Sequence, residues 1–211
     1  TLGDVASFSF HPRKSITTGE GGMITTQSSF YFELIDQMRN HGATISEEER
    51  HSGPKPYYLP DFNLLGFNYR MTDLQGAVGL IQLDKLNSFI NERSKWAEWY
   101  INQLSDLEWL RLPKEPEQGR HGWQSFVTYV EPNLSPLPRN KIMEKLQNIG
   151  ISTRPGTHAI HMLSIYKNRL EIKPNDFPGA KSCDENTMAI PLHNQMVKED
   201  YEYIVEALKN I

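Results

Sequence analysis

Polar and apolar positions alternate at the very start of the chain. Val5, Ser7, Phe8 and Phe10 mark residues 4 to 10 as a strand, and Gly21-Gly22-Met23-Ile24-Thr25-Thr26 reads as a second short strand after a glycine-containing turn. The two are expected to pair as a hairpin. The period then changes. Ser28 or Ser29 can cap a helix over about residues 30 to 40, with Phe30, Leu34, Ile35 and Met38 along one side. From Asn40 to Tyr69 the chain is rich in Gly, Pro, Asn and charge, which predicts a long functional or poorly ordered loop. Thr72-Asp73-Leu74-Gln75 has the spacing of a capping box and should open a long helix. Its apolar residues (Leu74, Val78, Leu80, Ile81, Leu83, Leu86) wrap most of the circumference, so burial on more than one side is expected. The pattern continues through Trp96, Trp99, Tyr100 and Leu104.

Beyond a Pro- and Gly-bearing stretch at 113 to 122, the pattern is that of a small α+β unit. A strand is expected at 123 to 131, and a helix at about 138 to 149 that buries Ile142, Leu146 and Ile149 and stops at Gly150. A strand at 151 to 154, a loop-rich stretch with His158 and His161, and a strand near Met188-Ile190 follow. The last helix has Tyr201, Ile204, Val205 and Leu208 as its buried stripe.

Composition narrows the function classes. A net charge of -4 with scattered Lys and Arg gives no footprint for nucleic acid. One cysteine, Cys183, excludes an internal disulfide framework. No apolar run approaches the ~18 residues of a bilayer span, and a cytoplasmic protein is expected. The chain opens at Thr1 with no initiator Met and enters a strand almost at once, which suggests a piece of something longer.

The most unusual stretch for chemistry is Ser7-Phe8-Ser9-Phe10-His11-Pro12-Arg13-Lys14-Ser15-Ile16-Thr17-Thr18-Gly19-Glu20-Gly21-Gly22. It sets one lysine between a strand end and a glycine-rich turn, amid hydroxyls and N–H groups that suit a phosphate. Such a lysine can act as an amine nucleophile, although a solvated surface lysine has the same local composition. His158 and His161 lack the spacing and acidic partner of a metal-binding helix, so no metal is expected. Trp96, Trp99 and Tyr100 read as packing rather than as a platform for bases.

The lysine segment resembles the corresponding motif of the DegT/DnrJ/EryC1/StrS sugar aminotransferases. Further segments agree in that family's order: Arg39-Asn40-His41-Gly42, Gly66-Phe67-Asn68-Tyr69-Arg70-Met71-Thr72-Asp73-Leu74-Gln75, His161 with Tyr166, and Ala189-Ile190-Pro191-Leu192. The resemblance implies an α/β, fold-type-I aminotransferase dependent on pyridoxal 5'-phosphate (PLP). Residues 1–95 would be the C-terminal part of the large PLP-binding α/β domain, and 96–211 the small α+β domain. Lys14 matches the lysine that forms the Schiff base with the cofactor and then moves the proton. Ser9 matches a residue whose hydroxyl binds the cofactor phosphate, and Asn68 an asparagine that reaches that phosphate from the neighbouring subunit of a homodimer. His161 corresponds to a histidine facing the sugar, and His41 to a loop approaching the partner's site. Arg70 and Tyr69 stand beside Asn68 as candidates to help it, and Arg70 is also a candidate for substrate contact. The implied reaction moves an amino group from an amino acid such as glutamate to a nucleotide-linked keto sugar.

There are departures as well. The stretch Pro155-Gly156-Thr157-His158-Ala159-Ile160-His161 stands where many relatives are Pro-rich. The family's first phosphate loop, ring-stacking aromatic and ring-nitrogen acid have no counterpart here, so this chain alone is expected to turn over little. Two alternatives are a sugar dehydratase of the same family, in which a His stands where Lys14 does, and a non-catalytic module that keeps the fold.

Overall fold

The computed structural model describes residues 3–55 and 57–211; Thr1, Leu2 and Pro56 lie outside the described residues. β1 (Val5–Ser9) and β2 (Gly22–Thr26) pair antiparallel, with Ser9 opposite Gly22 and Val5 opposite Thr26. α1 (Ser29–Arg39) is capped by Ser28, whose side chain accepts the Tyr31 N–H. The predicted loop of 40 to 69 contains a helix, α2 (Glu47–Ser52), opened by a capping box between Ser46 and Glu49. Six residues carry too little apolar pattern to announce a helix, and only the cap is visible in sequence.

α3 (Asp73–Leu104) runs for 32 residues from the predicted Thr72 cap. The Thr72 N–H donates to Gln75 Oε1 (3.0 Å), and the Gln75 N–H to Thr72 Oγ1 (3.3 Å). The described residues form two compact units, divided inside α3 between Leu86 and Asn87. In the first unit the apolar residues of α3 are open: Leu74 is 82% exposed and Leu80 69%. The burial expected on several sides of this helix is thus not supplied by the described residues. Phe8, Met23, Ile24 and Phe32 are exposed too. A two-stranded ribbon carrying such side chains has little core of its own.

The second unit holds the core. β3 (Leu110–Arg111), β4 (Phe126–Val130), β5 (Arg154–Pro155) and β6 (Thr187–Ile190) form an antiparallel sheet in the order β3-β4-β6-β5. The strand expected at 151 to 154 is shorter and shifted by one residue, and its two exposed residues pair with β6. Packed with the sheet into one cluster are α3 from Trp96 onward, α4 (Arg139–Asn148) and α7 (Lys198–Lys209). Phe126, Thr128 and Val130 alternate inward along β4, where they meet Ala97, Tyr100, Leu104, Ile142, Leu146, Ile204 and Leu208. Each large apolar side chain so buried contributes about 1.5–3 kcal/mol. The Trp96 ring stacks on Tyr201 at 4.1 Å, and Tyr100 meets Tyr201 edge-on at 5.2 Å, so this aromatic group is packing. α4 ends as expected, with Gly150 at φ +84°.

The stretch between 160 and 186, expected to be mainly loop, contains α5 (Ser164–Leu170), α6 (Pro178–Asn186) and single helical turns at 160–162 and 174–176. None of α5 or α6 is fully buried, so no stripe marks them. Arg93 is the buried cation of this unit. Its guanidinium donates to Asn194 Oδ1 (2.8 Å) and to the Trp123 carbonyl (3.3 Å), while Asn194 donates to the Phe89 carbonyl. Desolvation lowers its pKa, and Tyr201 opposes that shift.

Candidate active site

Lys14 sits, half-buried, in the loop between β1 and β2. The loop is braced from within. The Phe10 carbonyl accepts from the Thr17 hydroxyl (2.8 Å) and the Thr18 N–H (3.1 Å), and the Phe10 N–H donates to the Gly21 carbonyl (2.9 Å). Thr18, buried, donates its hydroxyl to the Glu20 carbonyl (2.6 Å). The hydroxyl protons of Thr17 and Thr18 are therefore committed to shaping the loop. Ser9 differs. It is exposed at the end of β1, and its Oγ accepts the His11 N–H at 3.4 Å, which leaves its own proton available to donate.

Lys14 itself lies in a turn closed by its N–H to the His11 carbonyl (2.9 Å). His11 Nδ1 accepts the Arg13 N–H (3.2 Å), so the ring proton is on Nε2, 3.9 Å from Glu20 Oε1. No hydrogen bond or ion pair holds the Lys14 amine among the described residues. An amine placed in this way can attack a carbonyl carbon without first leaving a partner.

A second group forms where the end of α1 crosses the segment leading to α3. His41 (φ +62°) and Gly42 (φ +80°) turn the chain so that the His41 N–H donates to the Phe67 carbonyl (2.9 Å) and the Tyr69 N–H to the Arg39 carbonyl (2.9 Å). Asn40 and Asn68 face each other in a β-bridge. Phe67 and Tyr69 stack at 5.0 Å on one side of the extended segment, which leaves Asn68 and Arg70 on the other. Arg70 donates to Asn40 Oδ1 at 2.5 Å. Asn40 thus joins this group, though the sequence assigns it no role; its place beside His41 in the motif was the available signal.

The residues of the chain match the model of the DegT/DnrJ/EryC1/StrS aminotransferase family over 1–209. The chain belongs to that family. GDP-perosamine synthase of Caulobacter vibrioides is 30% identical over 212 residues, covering all of this chain and 53% of that protein. Spr1654 of Streptococcus pneumoniae in its PMP-form has a TM-score of 0.87 at 25% identity, over 100% of this chain and 53% of that one. PseC of Helicobacter pylori, an aminotransferase involved in the biosynthesis of pseudoaminic acid, has a TM-score of 0.87 at 21% identity, over 99% of this chain and 53% of its own, and bears on the fold alone. The fold is that of the fold-type-I aminotransferases, and the chain spans about half the length of the relatives it matches.

For a member of the DegT/DnrJ/EryC1/StrS family, the structure sorts the expected residues into three places. Ser9 ends β1, and Lys14 lies in the loop that follows it. His41, Asn68 and Arg70 share the crossing, joined by Asn40. His161 lies in the second unit, 8% exposed, with Nε2 3.1 Å from the Pro174 carbonyl and its ring against Phe177 (5.1 Å). Its side chain is engaged in holding the 160–177 turn. The neighbouring His158 is exposed, 3.9 Å from Asp184.

A cavity of about 920 Å³ opens elsewhere in the first unit, lined by β2, by Phe32, Ile35 and Met38 of α1, and by Phe67, Tyr69 and Met71. Its charged lining residues, Asp36 and Arg39, pair with each other at 2.5 Å. Its lining contains no lysine, and Lys14 is not part of it. Among the described residues no three His, Cys, Asp or Glu side chains gather as metal ligands, and no helix is long and apolar enough to cross a membrane.

Proposed function

We propose that this chain carries the lysine side of the active site of a PLP-dependent sugar aminotransferase, with Lys14 as the catalytic amine. The observation that carries the reading is the half-buried Lys14, held in a braced loop with its amine free of the described residues, with the available hydroxyl of Ser9 at the end of the strand that leads into that loop. These donors fit a phosphorylated aldehyde. When bound, PLP supplies the aldehyde carbon and a ring that withdraws electrons from the carbon being deprotonated. Lys14 would hold the cofactor through its amine, a nucleophile suited to the aldehyde, and when free that amine would be the base that moves the proton. Ser9 donates to the phosphate. Asn68 adds a donor to it from the second subunit of a homodimer, and the crossing orients Arg70 and His41 toward substrate. His161 keeps the substrate-side loop in shape from within.

The amino donor in this reading is an amino acid such as glutamate, and the acceptor a nucleotide-linked keto sugar in a cytoplasmic pathway. GDP-perosamine synthase among the relatives supports the sugar class. Residues 1–95 act as part of the large cofactor domain and 96–211 as the small domain. A lysine at position 14, rather than the His of the related dehydratases, favours transamination. The test is to add PLP to the protein and to Lys14→Ala, trap with borohydride and map the peptides. The label is expected on Lys14, with no near-visible absorbance band in the variant. A label on another lysine, or an equal band in both proteins, overturns the assignment.

A further inference from the structure

Two side-chain hydrogen bonds reach the Lys14 loop from outside among the described residues, and both come from α3. Gln75 Nε2 donates to the Glu20 carbonyl at 2.9 Å, and Gln82 Oε1 accepts the Thr17 N–H at 3.4 Å. The same helix face fits the loop closely. A Cβ on Gly79 would lie 3.1 Å from the Thr18 methyl, and just ahead of the helix the end of Met71 would lie 3.2 Å from a Cβ on Gly21.

We propose that Gln75 is a positioning residue for Lys14, tying the turn at the end of the lysine loop to the cap of α3. This rests on the reading of Lys14 as the catalytic amine. The side chain has two jobs at once. Oε1 accepts from the Thr72 N–H (3.0 Å) and hydroxyl (3.1 Å), while Nε2 faces the Glu20 carbonyl. The amide orientation is forced, because an N–H can only donate and a carbonyl can only accept. The Glu20 carbonyl also accepts from buried Thr18, whose own N–H closes the loop on Phe10. A chain of hydrogen bonds therefore runs from the α3 cap through Glu20 and Thr18 to the base of the loop. Lys14 lies farther out, in a turn held by one backbone bond to His11. Its placement depends on that base. An error of about 1 Å in a reacting group can cost on the order of 100-fold in rate.

Gln75→Glu separates the two jobs. A glutamate at this third helical position keeps the acceptor of the capping box and favours a helix N-terminus, but it has no donor for the Glu20 carbonyl. The variant is expected to melt like the wild type while amide exchange over residues 14–21, measured without cofactor, rises roughly fivefold to tenfold. In the active protein kcat should fall by about tenfold with KM for the amino donor nearly unchanged. Gln75→Ala should show the same exchange and also melt lower. Unchanged exchange over 14–21 in Gln75→Glu, or a rate loss confined to Gln75→Ala and tracking its melting temperature, overturns the proposal and leaves Gln75 as a helix cap. The exchange measurement needs no cofactor, so it is read separately from the borohydride label. A missing label counts against Lys14, not against the tether.

Discussion

Adding one methyl group at Gly66 tests the crossing that presents Asn68 and Arg70. Gly66 is not among the residues with positive φ, so alanine is tolerated by its own backbone and the cost comes from contact. A Cβ there would lie 2.0 Å from the Gly42 nitrogen and 2.4 Å from the His41 carbonyl carbon, backbone atoms that no rotamer change can move away. Relief to an ordinary separation of roughly 3.5 Å needs the two segments to part by about 1.5 Å. That displacement stretches the bonds from His41 to Phe67 (2.9 Å), from Tyr69 to Arg39 (2.9 Å) and from the Phe67 N–H to the Met38 carbonyl (2.7 Å) beyond hydrogen-bonding range. Three lost bonds at about 1 kcal/mol each give a local destabilisation of about 3 kcal/mol, or roughly 150-fold in opening equilibrium. Hydrogen–deuterium exchange should show that loss of protection at residues 38–44 and 66–70. Gly76→Ala is the matched control, since a Cβ there meets nothing within 4 Å and a helix interior prefers alanine by about 0.5–1 kcal/mol. If Gly66→Ala exchanges like the wild type across both segments, the reasoning that this glycine permits the crossing is refuted.

In the second unit, Arg93→Met leaves the Trp123 carbonyl and Asn194 Oδ1 without their donor, and should lower stability by about 2–4 kcal/mol in urea unfolding followed by far-ultraviolet circular dichroism. Alkaline pH should loosen the same core. Burial pushes the Tyr201 phenol up to about 12, with Glu92 adding to the shift, and raises Tyr100 further, again mainly by burial. Above about pH 10 the unfolded chain gives up phenolic protons that the folded core keeps. Stability is therefore unaffected by these groups below about pH 10 and falls toward 12, by up to about 1.4 kcal/mol per unit for each tyrosine. Urea midpoints that stay level from pH 9.5 to 11.5 would contradict this. Ser46→Ala removes a capping-box partner, and should raise exchange over residues 47–53 by the equivalent of about 1 kcal/mol.

What the sequence revealed was local. The alternation at 5–9, the Thr72–Gln75 box, Gly150 and the stripe of α7 each express a rule that acts within a few residues, and the structure places them where the pattern does. Lys14 and Ser9 could be singled out as candidates for the same reason, because the end of β1 and the loop after it are one continuous segment. The helices missed, α2, α5 and α6, are short and carry no fully buried stripe, and Pro178 at the start of α6 reads equally well as a loop signal. β3 and β5 are strands only by virtue of partners distant in sequence, Leu110 with Val130 and Arg154 with Ala189. The pairing of Arg70 with Asn40 and the burial of His161 against Phe177 likewise need the folded chain. Apolar residues around the start of α3 state a need for cover, and they say nothing about what provides it.

The aromatic core has an optical consequence. All four tryptophans, Trp96, Trp99, Trp109 and Trp123, fall after Leu86, so tryptophan fluorescence arises in the second unit and not in the first. A thermal or ligand titration read by emission would watch the half of the molecule without the amine. Replacing Tyr69, already stacked on Phe67, by tryptophan would give the silent half a lamp of its own.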